Sequence, residues 1–164
     1  MNSIDKVNKL SKSDFISIFG NVFEKTEWIA QKSYDLKPYK YFEELFSKMM
    51  KVFENTEKEK YLEIFNAHPN LAVEKKLTRD SKNEQKNASL NQTTEKEFIE
   101  FKKLNEEYKK KFGFPFIIAV KGKNKEEILN SFRQRITNNI NLEFEEAKKQ
   151  VKKIANFRLS EIIK

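Results

Sequence analysis

The chain has 164 residues and a net charge of +8, with 38% of its residues hydrophobic and 35% charged. This length suits one domain, and the hydrophobic share, with fifteen phenylalanines, is enough to fill a core and argues against disorder. The lack of cysteine excludes disulfides and thiolate chemistry, and a single histidine argues against a zinc or non-haem iron centre. We therefore expect no metal and no redox chemistry through thiols.

Glycine and proline are scarce, with three of each, and Lys, Glu and Asn dominate the polar positions. This composition favours long helices over a turn-rich β-fold. No repeat with a period of about 20–50 residues is present, and no Gly, Ser or Pro-rich linker divides the chain. We predict an all-α fold of about seven to nine helices in a single compact domain spanning residues 1–164.

Several helix starts are marked by local patterns. Pro38 suits the first turn of a core helix with apolar residues at helical spacing, namely Tyr41, Phe42, Leu45, Phe46, Met49 and Phe53. A capping box pairs a hydroxyl with a carboxylate three residues later, and each side chain satisfies a free backbone donor. Three segments have this pattern: Thr56 to Glu59, Ser81 to Glu84 and Thr94 to Glu97.

The second half is predicted to contain three further helices. An apolar stripe that begins at Phe98 predicts a helix that ends at Gly113. The next helix is predicted from about Asn124 to Asn138, and the last from about Leu142. Residues 66–76 and 113–123 are left as loops, which is where binding groups tend to lie.

The positive charge gives little indication of a nucleic-acid partner. The lysines are interspersed with 25 acidic residues, as on a solvated helical surface, and the charge also suits a small anionic substrate. The N-terminal residues lack an apolar signal core, and no apolar run approaches the roughly 20 residues that span a bilayer. We expect a cytoplasmic protein with neither a nucleic-acid nor a membrane partner.

The only histidine, His68, lies in the loop Ala67-His68-Pro69-Asn70-Leu71. Its unperturbed pKa, about 6.5, allows it to give or take a proton near neutral pH. Pro69 disfavours a helical conformation at His68, so the imidazole is expected to project from a defined turn. A surface or capping histidine is the plainer alternative, and the residues alone leave both open.

A second candidate is the helical face formed by Ser81, Glu84, Gln85 and Ala88. A capping box followed by a solvated face explains these residues in structural terms. A polar face that tapers to alanine can also line a small-molecule site. The two interpretations are compatible, since Ser81 could cap the helix while Glu84 reaches a ligand.

Arg158 lies near the middle of the apolar stripe of the last predicted helix, where an unpaired charge would be costly. It therefore needs a partner, which is either a glutamate in a structural ion pair or the carboxylate or planar amide of a ligand. Arg133 and Arg135 lie nearer the edge of their own stripe, so we predict that both are on the surface.

The segment from Phe112 to Val120 is apolar in an otherwise polar chain. It could be a buried connector, as phenylalanine-rich segments usually are. Alternatively, Gly113 and Pro115 interrupt regular backbone pairing, and the segment then presents backbone donors to a polar ring in a dry setting.

Taken together, these residues resemble the family of 2-oxo-4-hydroxy-4-carboxy-5-ureidoimidazoline (OHCU) decarboxylases of urate degradation. The resemblance covers nearly the whole chain, and its most specific part is the Phe-Gly-Phe-Pro-Phe run at its distance from the His-Pro pair. The matching stretches are Phe19 to Glu24, Trp28 to Ala30, His68-Pro69-x-Leu71, Ser81-x-x-Glu84-Gln85-x-x-Ala88, Leu104-Asn105-x-x-Tyr108, Lys111 to Phe116, Arg135 with Asn138, and Ile154-Ala155-x-x-Arg158-Leu159.

The resemblance implies an all-helical carboxy-lyase without a cofactor, which converts OHCU to (S)-allantoin and is often a homodimer. It implies that His68 is the catalytic histidine and Glu84 its acidic companion. The substrate-binding residues that it implies are Pro69, Ser81, Gln85, Phe116, Ile117, Ile118, Ala119 and Arg158.

Two other functions are compatible with parts of the sequence. A basic helical module for RNA or DNA would bind in a salt-sensitive way and would tolerate changes at His68 and Glu84. A decarboxylase-like fold without activity could sense ureides, although the presence of His68, Glu84 and Arg158 argues against it.

Overall fold

The computed structural model describes every residue from Met1 to Lys164 and contains nine α-helices and no strand. The helices are α1 (Ile4–Asn8), α2 (Lys12–Phe19), α3 (Glu27–Asp35), α4 (Phe42–Glu54), α5 (Lys58–Asn66), α6 (Arg79–Asn87), α7 (Glu95–Phe112), α8 (Lys125–Arg135) and α9 (Ile140–Ile162). The predicted all-α class and helix number are confirmed. No helix is both long and apolar enough to cross a membrane.

The chain divides into two compact units. Unit 1 comprises Met1–Ala67 together with Lys152–Lys164, and unit 2 comprises His68–Val151. The single domain expected from the length remains a prediction, and each unit is described separately below.

Unit 1 has a core of aromatic and aliphatic side chains. Helix α3 packs against α2 and α4. The rings of Phe23 and Phe53 stack with centroids 5.1 Å apart, and Tyr61 meets Phe53 edge-on at 5.2 Å. These rings are almost completely buried, so they supply much of the apolar area that stabilises the unit.

Two predicted helix starts in unit 1 are wrong. Pro38 does not enter the first turn of α4, because that helix begins at Phe42 with Tyr41 as its N-cap. Thr56 does not cap α5, whose N-cap is Glu57. The Thr56 hydroxyl instead donates back to the carbonyl of Val52 in the preceding helix, at 3.0 Å. A hydroxyl at a helix junction can bond in either direction, and the pattern alone does not decide which.

Unit 2 is organised around Tyr108 of α7. Its ring lies within 6 Å of four phenylalanine rings, which are Phe112, Phe114, Phe116 and Phe132. Phe116 and Phe132 stack nearly parallel, with centroids 3.9 Å apart. Helix α7 packs against α8, so this aromatic cluster joins the two helices to the segment that connects them.

The helix ends of unit 2 follow the local chemistry. Thr94 caps α7 in a complete capping box with Glu97, as predicted, and Asn124 and Glu127 form a second box at the start of α8. Helix α7 ends at Gly113, also as predicted, and this glycine takes the left-handed conformation with a φ of 81°. The φ is one that only glycine adopts without strain, so it fixes where the helix stops and the next segment begins.

Candidate functional site

His68 lies in the loop between α5 and α6 and is buried, with 8% of its surface exposed. The surface-histidine alternative is therefore wrong. Pro69 and Asn70, which follow it, are partly buried, and Leu71 is buried again. The imidazole thus belongs to a loop that packs into unit 2.

Gln85 of α6 fastens this loop through both ends of its side-chain amide. Its Oε1 accepts from the backbone N–H of Ala72 at 3.0 Å, and its Nε2 donates to the carbonyl of Asn70 at 3.3 Å. Asn105 of α7 adds a third tie, because its Nδ2 donates to the carbonyl of Leu71 at 3.0 Å. Three successive loop residues are therefore held by side chains. These bonds restrict the movement of the loop and, with it, of His68.

Gln85 keeps capacity for a further partner. A primary amide offers two N–H donors and two lone pairs on its oxygen, and each end uses one in holding the loop. The side chain that holds the loop can therefore also contact a ligand.

Helix α6 begins three residues before the predicted start. Its N-cap is Thr78, whose hydroxyl accepts from the backbone N–H of Ser81. The prediction that Ser81 itself caps the helix is wrong. The physical reason is that Thr78 offers the same hydroxyl chemistry one turn earlier, and this places Ser81 inside the first turn.

The earlier start of α6 does not disturb the polar face that was predicted for this helix. Ser81 and Gln85 are both buried, and Glu84 between them is partly buried. Residues i and i+4 of a helix lie above one another, so the Ser81 hydroxyl and the Gln85 amide line one side of α6. Gln85 is the residue that holds the histidine loop, so this face and His68 belong to one local assembly.

The segment from Phe114 to Val120 follows α7 and is buried at every residue, without helical structure. Two of its backbone groups are bound by side chains of unit 2. The carbonyl of Ile117 accepts from Nη1 of Arg135 at 2.7 Å, and the N–H of Ala119 donates to Oε1 of Gln150 at 2.9 Å. The interpretation as a buried connector is therefore confirmed, and the presentation of backbone donors to a ligand stays a prediction.

Helix α7 lies beside both candidate segments. Asn105 binds the histidine loop at Leu71, and Tyr108, one turn later, contacts the rings of Phe114 and Phe116. The histidine loop and the Phe116–Ala119 segment are thus both fixed by the same stretch of one helix. Within unit 2 the loop and the apolar segment each contact α7, and the α6 face contacts the loop.

Arg135 is buried and not on the surface, so that prediction is wrong. Its Nε donates to Oε1 of Glu143 at 3.0 Å, and its Nη1 donates to Ile117 as described. Glu143 is completely buried and also accepts from the Tyr108 hydroxyl and, on its other oxygen, from Asn138 at 3.0 Å. The negative charge of Glu143 and the donors around it compensate for the burial of the guanidinium.

A pattern in the sequence could have revealed Arg135. Ile128, Phe132 and Arg135 follow at i, i+4 and i+7, which places the arginine on the apolar stripe of α8. On α9, Glu143, Ala147 and Gln150 follow at the same i, i+4 and i+7 spacing. Polar residues that continue an apolar stripe are the expected signal of a buried network, as was argued for Arg158. Arg133 is exposed, as predicted.

Burial raises the pKa of the Tyr108 hydroxyl far above its ordinary value, and the hydrogen bond to Glu143 raises it further. The phenol therefore stays protonated at neutral pH and donates to the Glu143 carboxylate.

Arg158 belongs to unit 1 and is buried there. Its Nη2 lies 2.7 Å from Oε2 of Glu24, and its Nη1 donates to the carbonyl of Asn21 at 2.8 Å. The partner that its buried position requires is thus a glutamate, as one of the two interpretations held. A guanidinium has five donors, so these bonds do not by themselves exclude a ligand.

No group of three or more His, Cys, Asp or Glu side chains in residues 1–164 is arranged to hold a metal ion.

The sequence matches known proteins over almost its full length. The profile of one family, described as OHCU decarboxylase, matches residues 8–160. The 2-oxo-4-hydroxy-4-carboxy-5-ureidoimidazoline decarboxylase of Haloferax volcanii is 33% identical over 97% of this chain and 95% of its own length. The uric acid degradation bifunctional protein of Bacillus sp. (strain TB-90) is 40% identical over the whole chain. The chain spans only 33% of the length of that Bacillus protein.

Two solved structures share the fold. A crystal structure of OHCU decarboxylase in the presence of (S)-allantoin superposes with a TM-score of 0.74 at 25% identity, over 89% of this chain and 97% of that one. A crystal structure of (S)-allantoin synthase superposes with a TM-score of 0.81 at 24% identity, over all of this chain and 54% of that one. At that identity the second comparison supports the fold alone.

Proposed function

Because this chain belongs to the OHCU decarboxylase family, we propose that it removes CO2 from OHCU to give (S)-allantoin, without a cofactor. The observation that carries the proposal is the buried His68, the only histidine, on a loop that is fastened to the polar face of α6. A buried imidazole on a fixed loop is what a positioned proton-transfer group requires.

We assign the catalytic roles to His68 and Glu84. In OHCU the carbon that loses CO2 lies next to a C=N unit, which can accept the electron pair of the breaking bond. The protein then needs to orient the carboxylate, stabilise the developing charge and deliver a proton to one face of the product. His68 manages that proton, and Glu84 keeps the imidazole in the required orientation and protonation state.

The remaining site residues bind substrate in this proposal. Ser81 and Gln85 offer a hydroxyl and an amide from the buried face of α6, and Pro69 shapes the loop beside the imidazole. The substrate-binding backbone comes from the buried segment formed by Phe116, Ile117, Ile118 and Ala119. Arg158 contributes a guanidinium, which matches carboxylates and planar amides with paired donors.

Two of these backbone residues already have protein partners. The carbonyl of Ile117 and the N–H of Ala119 are bound within unit 2, so the N–H of Ile117, the carbonyl of Ala119 and the backbone groups of Phe116 and Ile118 are left to face a ligand. Buried backbone groups nearly always have a hydrogen-bond partner, which supports a polar ligand beside this segment.

The decisive experiment measures circular dichroism of OHCU freshly generated from urate. Spontaneous decay gives racemic allantoin and no lasting signal, whereas a stereospecific enzyme gives a growing (S)-allantoin signal. The expected result is rapid growth of that signal on adding the protein. Absence of a lasting (S)-allantoin signal, with the protein shown to be folded, would refute the proposal.

The assignment of His68 is tested by His68→Asn, which keeps a polar side chain of similar reach. Loss of a positioned proton-transfer group is expected to lower turnover by about 10²- to 10⁴-fold, with the helical content unchanged. Glu84→Gln should also lower turnover. Its control is Glu74→Gln, the same chemical change at an exposed residue of the histidine loop. Near-normal turnover of His68→Asn would refute the assignment.

We also propose a homodimer in the cytoplasm, as expected from the family. Light scattering of the purified protein tests the oligomeric state, and a mass of one chain at micromolar concentration would contradict the dimer. Cell fractionation tests the location.

A further inference from the structure

The Phe116–Ala119 segment is held at alternate residues. Arg135 of α8 binds the carbonyl of Ile117, and Gln150 of α9 binds the N–H of Ala119. The two anchors therefore fix the backbone of the segment on both sides of Ile118.

The Arg135 anchor is itself fixed from several directions. Glu143 binds its Nε, and the face of the Phe116 ring lies 4.4 Å from the guanidinium carbon. Glu143 in turn is held by Tyr108 and Asn138. A planar guanidinium with two of its nitrogens bound to fixed partners has one orientation, and that orientation determines where the Ile117 carbonyl lies.

The Gln150 anchor is oriented in the same way. Its Nε2 donates to Oε1 of Glu146, one turn earlier on α9, at 2.8 Å. This bond points the carbonyl end of the amide at Ala119. Without it the amide could rotate by 180° and present its N–H₂ group to the Ala119 N–H, which would replace an attraction with a repulsion.

We propose that Arg135 and Gln150 are positioning residues that hold the Phe116–Ala119 segment in the register in which its backbone binds substrate. This inference rests on the proposed decarboxylation and adds to it two residues that act through the segment. A slip of the segment by one residue would take the Ile117 carbonyl away from Arg135 and the Ala119 N–H away from Gln150. Errors of about 1 Å in such a segment can lower a rate by about 100-fold.

Two substitutions remove one anchor each and preserve the size of the side chain. Arg135→Lys keeps the positive charge beside Glu143, but a single ammonium cannot bind Glu143 and Ile117 in the forked geometry of arginine. Gln150→Met removes the acceptor for Ala119. For each variant we expect kcat/KM to fall on the order of 10- to 100-fold. If the segment binds the ground state and the transition state equally well, the fall in kcat/KM will appear as a higher KM with an unchanged kcat.

The matched control is Arg133→Lys, the same change two residues away on α8, where the arginine is exposed and pairs with Glu100. Its kcat/KM should equal that of the wild type. A rescue variant combines Gln150→Glu with Glu146→Gln, which exchanges the two ends of the side-chain pair and returns an acceptor to Ala119. It should recover kcat/KM lost in Gln150→Met.

A second measurement does not depend on turnover. Hydrogen exchange followed by mass spectrometry reports the opening of the backbone amides of residues 116–119 in the protein without substrate. We expect faster exchange there in Arg135→Lys and Gln150→Met, and unchanged exchange in α7.

Faster exchange together with reduced kcat/KM would support the inference. Normal kcat/KM in both variants, with an active wild type, would overturn it while the proposed function stands. An inactive wild type would refute the proposed function instead, and unchanged exchange at residues 116–119 would then overturn the anchoring as well.

Discussion

Each unit of this protein buries one arginine against one glutamate, and the two pairs are built differently. In unit 1, Arg158 binds Glu24, which lies 134 residues away in the sequence, and also the carbonyl of Asn21. In unit 2, Arg135 binds Glu143, only eight residues away, and also the carbonyl of Ile117. The side chains of both glutamates are completely buried, and both arginines are nearly so.

The difference lies in what the second bond of each guanidinium holds. Asn21 and Glu24 belong to the short connection between α2 and α3, so Arg158 binds one connection twice. Arg135 joins an acid of α9 to a segment that follows α7. A buried ion pair is weak evidence for stability by itself, and its usual value lies in fixing one arrangement among several. The Arg135 pair fixes a backbone segment that the proposed reaction uses.

Removal of either carboxylate should have the largest effect on stability. Glu143→Ala and Glu24→Ala each leave a buried arginine without its counter-charge, which costs about 3–5 kcal/mol. Urea unfolding followed by circular dichroism measures the loss. A loss below about 1 kcal/mol in one variant would show that its arginine finds water or another acceptor, and the two pairs would then no longer be equivalent.

Removal of a hydroxyl from the Glu143 network should have a smaller effect. Tyr108→Phe deletes a donor to a charged acceptor and should cost about 1.5–3 kcal/mol. Its matched control is Tyr39→Phe in unit 1, where the buried hydroxyl donates to the neutral carbonyl of Ser33 and the expected cost is about 1 kcal/mol. Equal losses in the two variants would show that the charge of Glu143 adds nothing to the bond.

The same two tyrosines predict a loss of stability at alkaline pH. Burial, with a smaller effect from the charge of Glu44, raises the pKa of Tyr39 to about 12, and the pKa of Tyr108 is raised further by burial and by Glu143. Below pH 10 both hydroxyls are protonated in the folded and the unfolded chain, and their contribution is complete. Above pH 10 only the unfolded chain releases these protons, so stability falls by up to about 1.4 kcal/mol per pH unit for each group.

Denaturant midpoints between pH 9 and pH 11.5 measure this fall. Tyr108→Phe and Tyr39→Phe should each make the fall of stability with pH less steep, because each variant lacks the contribution of one tyrosine. An unchanged slope in Tyr108→Phe would contradict the raised pKa of its hydroxyl.

The smallest effect is expected at the exposed ion pair between Arg133 and Glu100. The Glu100 carboxylate accepts from Nε of Arg133 at 2.8 Å and from Nη2, and the hydrogen bond from Arg133 holds the pKa of Glu100 below its usual range. Water and salt screen such a pair. Glu100→Gln should leave the urea midpoint within the scatter of repeated measurements in 0.5 M salt. A clear loss of stability in Glu100→Gln would mean that burial does not explain why the other two ion pairs contribute more to stability.

Much of the fold followed from the sequence because its signals are local. The scarcity of glycine and proline predicted the all-α class, and the Thr94 capping box and Gly113 predicted both ends of α7. The errors at Pro38, Thr56 and Ser81 have one cause. Two or more nearby residues could start each helix, and contacts between elements decide among them.

The site was predicted unevenly for a similar reason. His68 and the face of α6 lie close together in the sequence, so their patterns could be recognised. The partner of Arg158 could be predicted as a glutamate but not as Glu24, because nothing local relates residues 134 positions apart. The surface prediction for Arg135 is wrong because the apolar stripe of α8 ends in this charged residue, whose counter-charge comes from Glu143 of another helix.

The contact between Arg135 and Phe116 gives the Phe116–Ala119 segment its own spectroscopic reporter. The guanidinium carbon lies 4.4 Å from the centroid of the Phe116 ring. Ring currents displace the NMR resonance of a proton held over an aromatic face, and the Nε proton of Arg135 is further protected from solvent exchange by its bond to Glu143. This single resonance will report whether the Phe116 ring lies against α8.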